Sequence, residues 1–424
     1  MFFHSLVCIL RFVCAARFCA DHTLKLLSDF RSSAVSTSWF IMFLTVPYLI
    51  LRRLRARHEL NEEVRYVPPP RQYRESNISR RQFLRRRRRR RIFPARIDLS
   101  EIDEHDIKER YRLNSDAIMS LYELIKKDLI STTKRSNAVP GIVKLLCALH
   151  YFTSGSLQST VAEAGGITQS TFSRALSEVI SAILKLAEQF IKFPSDPAGL
   201  HLVKQGFRSI DGFPDVLGAV GCTHIAISPP SEMEQMYRNK KHYHSINVQV
   251  ICDSDTRILD VVSQCPGSTH DSSVLKQSEM HERFDKGEFS GWLLGDAGYG
   301  VKQWLLTPFE KPATASEVRY NLSHNATYSA VERTIDVLKS RFRCLDNPNG
   351  VLLYNPEKVS KIILVCCIIH NIAVLKNIDV DLALDLRPPI KDESTEDDTM
   401  EGTAKRDAVV AEYFSVNVIF YWLN

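Results

Sequence analysis

At Val216 the hydrophobic pattern of this chain changes period, and that switch limits what it can fold into. From Ile102 to about Phe193 apolar residues recur at helical spacing. Ile118, Leu121, Leu124, Ile125 and Leu129 mark one helix; Val143, Leu146, Leu149 and His150 mark a second after Pro140-Gly141. From Val216 the runs become strand-like: VLGAVGCTHIAI over 216–227, the alternating HSINVQVIC over 244–252, and RILDVVS over 257–263, the last two joined by a turn at 253–256. A helix opens at His270-Asp271-Ser272-Ser273 and runs through Lys276. A fourth strand, WLLG, ends at Asp296, and helices follow over 330–342 and 359–375, the last largely buried. A helical region ahead of strands mixed with helices excludes an all-α or all-β chain and predicts an α/β body.

Charge divides the chain further. Between Arg52 and Arg96 stand 17 arginines and four acids, a local charge of +13; the whole chain carries +6, so the rest sums to −7. Seven of those arginines, 85–91, are consecutive. Like charges at this density stay solvated, and they serve as nuclear import signals or touch phosphates without sequence preference; a plain spacer is the alternative. Ten cysteines without a C-x-x-C pair exclude a zinc ribbon and a disulfide framework, and they fit reduced, mostly buried thiols in the nucleus or cytosol. Residues 32–51, from Ser32 through Leu51, are uncharged, mostly apolar and followed by arginines. A membrane helix and a misplaced gene start both account for them. The expected organisation is an apolar N-terminal segment (1–63), an arginine-rich linker (64–100), a helical region (101–195), an α/β domain (210–380) and an acidic, mostly disordered tail (385–424).

Within the helical region, 159–176 has the shape of a helix-turn-helix. Ala162 is small where two helices would cross, Gly166 suits a left-handed turn, Thr168 opens the second helix and Phe172 closes a small core. Gln169, Ser170, Ser173 and Arg174 then sit on the face offered to DNA, with a helical hairpin that touches no DNA as the alternative.

The α/β body carries two acids where phosphodiester chemistry needs them. Two divalent metals roughly 3.5–4 Å apart can activate the nucleophile and stabilise the leaving oxygen, and they require hard carboxylate ligands on rigid elements. Asp296 ends a strand, and Gly295 and Gly298 keep its approach open. Glu332 lies on a helix further on, with 35 residues between it and Asp296.

At these residues a resemblance emerges. GAVGCTHIAI, PGSTHDSSVL, WLLGDAGYG, RYNLSHNATYSAVERTIDVLKSRFRCLD and CCIIHNIAV, in this order, resemble the DDE-4 nuclease domain of PIF/Harbinger transposases, and among them the Harbinger transposase-derived nucleases of animals. The similarity covers about 152–414. It implies an RNase H-like nuclease domain of the retroviral-integrase type, Mg²⁺ or Mn²⁺ as cofactor, DNA as the partner with no small-molecule substrate, a nuclear location, and a Myb-like DNA-binding protein as companion. It also implies an acid directly before Cys222-Thr223-His224. That position holds Gly221, so the triad reads Gly221, Asp296, Glu332 and lacks one metal ligand. Of the other acids, Asp211 and Asp215 stand before the strand core and Asp253 and Asp255 in a hairpin turn at the far end of the strands; Asp271, which opens the helix beside the site, is the best placed to substitute, and it also suits a capping role. His224, His270 and Asp271 match the family as supports for the metal carboxylates. Arg238, Lys240 and Lys241 before the second strand, and Arg333 and Lys339 after Glu332, are candidate DNA contacts. His370 and Asn371 match as well, with no role assigned. The resulting expectation is a transposase-derived, metal-dependent DNA nuclease impaired at Gly221; the alternative is a catalytically inactive DNA-binding or scaffold protein on the same fold.

Overall fold

The chain divides into two units, Met1–Arg90 and Arg91–Asn424. The computed structural model describes residues 95–130, 138–346, 351–379 and 398–415, all within the second unit. The apolar N-terminal segment, the arginine run and the stretch from Ser32 to Leu51 lie outside the described residues.

Most of the longer helices start where the sequence supplies a capping side chain. Asp103 caps α1 (Glu104–Tyr111) and Asn114 caps α2 (Ser115–Ile125), their side chains accepting from backbone N–H groups of the first turn. α3 (Gly141–Ser154) is the axis of the helical region and is buried over most of its length. It packs on α1, on α4 (Gln158–Ala164) and on α5 (Gln169–Leu184). Its Lys144 is buried, held by the Leu129 carbonyl at 3.1 Å and by Glu178 at 2.6 Å. Between α4 and α5 the chain turns at Gly166, whose φ is +65°. A side chain there would also strike the Ala95 carbonyl at 2.1 Å, so both conformation and space require glycine.

After α6 (Pro197–Asp211) comes a five-stranded mixed sheet in the order β3-β2-β1-β4-β5. The long β1 (Val216–Ala226) is central. β2 (Ser245–Cys252) runs antiparallel to it on one side, with β3 (Ile258–Pro266) antiparallel to β2 beyond; β4 (Trp292–Leu294) and β5 (Leu305–Leu306) run parallel to it on the other. Gly221 faces Val250, Cys222 faces Gln249 and His224 faces Asn247 across β1 and β2. α7 (Asp271–Lys276) and α8 (Glu279–Asp285) follow β3; α9 (Ala315–Arg341) packs on β1 and β2, and α10 (Pro356–Leu375) on β3 and α5. Phe152, Phe172 and Ile180 of the helical region share one core with Ile225, Val250 and Cys366. Each such side chain contributes about 1.5–3 kcal/mol on burial, which ties the two regions into one body. α10 is long and apolar enough to cross a membrane, yet most of it is buried inside the protein.

Two elements differ from the sequence reading. The helix expected over 330–342 begins at Ala315, set by a capping box between Thr314 and Glu317. Its early turns dock through polar groups: Tyr320 on the Thr307 carbonyl, Ser323 on that of Asp211 and His324 on that of Leu306. They therefore show no apolar stripe. Within the expected disordered tail, Met400–Tyr413 forms α11, which buries Val409 and Val410 and lays Arg406 over the Phe309 ring. The acids that mark this stretch in the sequence lie mostly ahead of that helix.

Candidate functional site

Three elements meet at the edge shared by β1 and β4. Asp296 follows β4 directly, its carboxylate accepting from the Gly298 N–H at 2.9 Å. Gly295 before it lies close against the Tyr299 ring, where a Cβ would stand 3.0 Å from a ring carbon. Gly221 lies in the middle of β1. α9 crosses over it: a Cβ on Gly221 would stand 3.2 Å from the Tyr328 hydroxyl and 3.2 and 3.3 Å from the methyls of Val331. Glu332, next along α9, is exposed, and partial desolvation together with Asp336 one turn on raises its carboxyl above the ordinary range. Burial pushes the Tyr328 phenol far up, and the charges of Asp296, Glu332, Cys222 and Asp271 reinforce the shift.

The opposite face of β1 carries a second polar group. The Cys222 thiol is 3.2 Å from the Tyr299 hydroxyl, and burial, followed by Asp271, holds it well above the usual thiol range. It is therefore a thiol, not a nucleophilic thiolate. Asp271 accepts a 2.7 Å hydrogen bond from the Asn247 amide, which also donates to the Thr269 carbonyl. The cap of α7 is His270 and not Asp271: the His270 side chain accepts from the Ser272 N–H. Asp271 is thereby left for the interior cluster. His224 Nδ1 pairs with the Ser245 hydroxyl at 3.0 Å, and Asn239 donates to that hydroxyl at 2.9 Å. Asn239 also accepts from the N–H groups of Lys241 and Tyr243, shaping the loop that presents Arg238, Lys240 and Lys241 to solvent.

Asp296 and Glu332 are the two carboxylates that the sequence reading assigns to a divalent ion beside β1. The residues present do not fit a two-metal centre. Gly221 contributes no ligand, and α9 packs close over its Cα. Among the described residues, the three metal-capable side chains whose ligand atoms lie within 4.8 Å of one another are His105, Asp106 and Glu109, all exposed on α1; Asp271, Asp296 and Glu332 form no such group.

The other residues singled out in the sequence are more dispersed. Gln169, Ser170 and Arg174 are exposed at the start of α5 and Ser173 is half-buried; Gln169 donates to Gln158 at 2.8 Å. Arg333 is exposed and donates to the Ser254 carbonyl in the β2–β3 turn at 2.9 Å, and Lys339 lies two turns further along α9. Sequence reasoning missed Tyr328, Tyr299 and Asn247. Tyr328 was within reach of it, because a residue four positions before Glu332 on a helix shares its face.

Residues 220–371 match the family described as DDE superfamily endonuclease. The chain is 38% identical over 326 residues to the "Putative nuclease HARBI1" of Rattus norvegicus, covering 76% of this chain and 93% of that protein. The chain belongs to the Harbinger transposase-derived nuclease family. The Homo sapiens nuclease of the same name is 40% identical over 286 residues, 67% of this chain and 82% of that one. A more distant relative, "Protein ALP1-like" of Arabidopsis thaliana, is 27% identical over 305 residues, 66% and 74% of the two chains. No solved structure matches. The stretch matching the endonuclease family begins at Val220 and ends at Asn371, so it spans Gly221, Asp296 and Glu332 together.

Proposed function

We propose that this member of the Harbinger transposase-derived nuclease family is a DNA-binding, nuclease-like protein of the nucleus whose divalent-metal site is impaired at Gly221. The central observation is the meeting of β1, β4 and α9, which carries Asp296 and Glu332 to either side of a glycine. A long central strand in an antiparallel β1-β2-β3 meander, with β4 and β5 added parallel on its other side and an acid-bearing helix across it, supports the RNase H-like reading of the fold. Asp296 and Glu332 are the residues that would hold a single Mg²⁺ or Mn²⁺ in place of the two-metal centre they do not complete, with His224, His270 and Asp271 as supports. Such a metal supplies Lewis acidity at a phosphate. Arg238, Lys240, Lys241, Arg333 and Lys339, with Gln169, Ser170, Ser173 and Arg174 of the helix-turn-helix, are the proposed DNA contacts, and a Myb-like DNA-binding protein is the proposed companion.

Gly221 also favours a second reading, a catalytically inactive DNA-binding or scaffold protein on the same fold. Both readings require DNA binding. Fluorescence anisotropy of a labelled duplex against the full chain, without divalent metal and over a salt series, tests that requirement. Binding that weakens steeply with salt is expected. No binding at low salt would remove both readings.

A further inference from the structure

We propose that the first carboxylate position is closed as well as vacated: Tyr328 and Val331 have taken the space above Gly221, with the Tyr328 hydroxyl facing the strand where the acid would stand. The inference deepens the metal-site reading given above and rests on it. A glycine in a central strand leaves open space unless something fills it, and here the space is occupied. The hydroxyl is 3.2 Å and the two Val331 methyls are 3.2 and 3.3 Å from where a Cβ would be. These distances are tighter than ordinary van der Waals contact, so a side chain at 221 requires its neighbours to shift.

Neither neighbour moves easily. Val331 is 1% exposed and has a β-branched side chain fixed by its helix. Tyr328 is stacked on His324, with ring centroids 5.9 Å apart and planes 17° apart. His324 is itself fully buried, bonded to the Leu306 carbonyl, and set edge-on against Phe213. The phenol is thus backed by a packed column that reaches β5 and the segment before β1. Replacing Gly221 by aspartate alone places a carboxylate against this column, and the new acid meets a phenol O–H where it would need an open metal face. Restoring the site therefore takes two changes, with Tyr328→Phe removing the oxygen while keeping the ring.

The test is a double-mutant cycle in the full chain: the natural protein, Gly221→Asp, Tyr328→Phe and the pair. Thermal midpoints report closure, and Mn²⁺ titration by calorimetry reports metal binding. Gly221→Asp alone is expected to lower the midpoint by several degrees, and Tyr328→Phe in its presence to recover about 2–4 °C of that loss, a coupling that independent sites would not show. The pair is expected to bind Mn²⁺ at least about tenfold more tightly than Gly221→Asp alone. Additive midpoints, with Gly221→Asp binding Mn²⁺ as well as the pair, would overturn the proposal. Coupled midpoints with no Mn²⁺ binding by any of the four would uphold the closure and refute the metal-site reading beneath it.

Discussion

Asn371 of α10 closes both backbone groups of Ile258 at the start of β3: its Oδ1 accepts from the Ile258 N–H at 2.8 Å and its Nδ2 donates to the Ile258 carbonyl at 2.7 Å. β3 is an edge strand, so these groups have no neighbouring strand on the outer side. The same amide also donates to the Phe190 carbonyl at 2.8 Å, joining the helical region to the sheet. The histidine-asparagine pair of α10 is thereby explained as a clasp on the β2–β3 hairpin.

Replacing this amide by an apolar side chain of the same size strands buried donors and acceptors. Asn371→Leu is expected to cost on the order of 3 kcal/mol in urea unfolding. A loss below about 0.5 kcal/mol would show that the clasp is dispensable.

His370 makes the clasp sensitive to acid. Its Nε2–H donates to the Thr256 carbonyl at 2.8 Å, and burial lowers its pKa from 6.5 to about 4. The unfolded chain therefore takes up the proton first. Stability contributed by the neutral ring is intact above pH 6.5 and is lost as pH falls toward 4, by on the order of 3 kcal/mol. Burial raises Asp253 and Asp260 to about 6, and they act in the opposite sense over pH 4–6. The comparison with His370→Gln isolates the histidine. The stability advantage of the natural chain over this variant is expected to shrink between pH 7 and pH 4.5; a constant difference would contradict the assignment.

Exposed cations on the loop before β2 are expected to contact phosphates. Arg238→Ala and Lys241→Ala should each weaken duplex binding about equally on unrelated sequences. Each should also lower the slope of log affinity against log salt by about one. Unchanged slopes in an anisotropy series would place the DNA elsewhere.

Much of this architecture is legible in the amino-acid sequence. The period change at Val216, the strand just before Asp296, the turn at Gly166 and the cap at Thr168 are local signals, and the elements form there. The first half of α9 is not legible, because Ser323, His324 and Thr327 are buried through hydrogen bonds to backbone carbonyls rather than through an apolar stripe. α11 is equally hidden: Gly402 is buried because it fits under the Val301 carbonyl, a contact between distant segments that no local pattern records. At the site, Asp296 and Glu332 are readable as a spacing, and Gly221 only through the resemblance to the family. That Tyr328 and Val331 fill the gap above Gly221 depends on how α9 crosses β1, and that crossing is tertiary.

Plasmid nicking in Mg²⁺ and in Mn²⁺ tests the central claim most directly, using the natural full chain, its Asp296→Ala variant, and Gly221→Asp with Tyr328→Phe. The account predicts no nicking by the natural chain beyond that of Asp296→Ala, and nicking by the Gly221→Asp, Tyr328→Phe protein that disappears when Asp296 is also changed to alanine. Nicking by the natural chain that Asp296→Ala abolishes would contradict it, since another ligand, with Asp271 the first to examine, would then be filling the place of the missing acid.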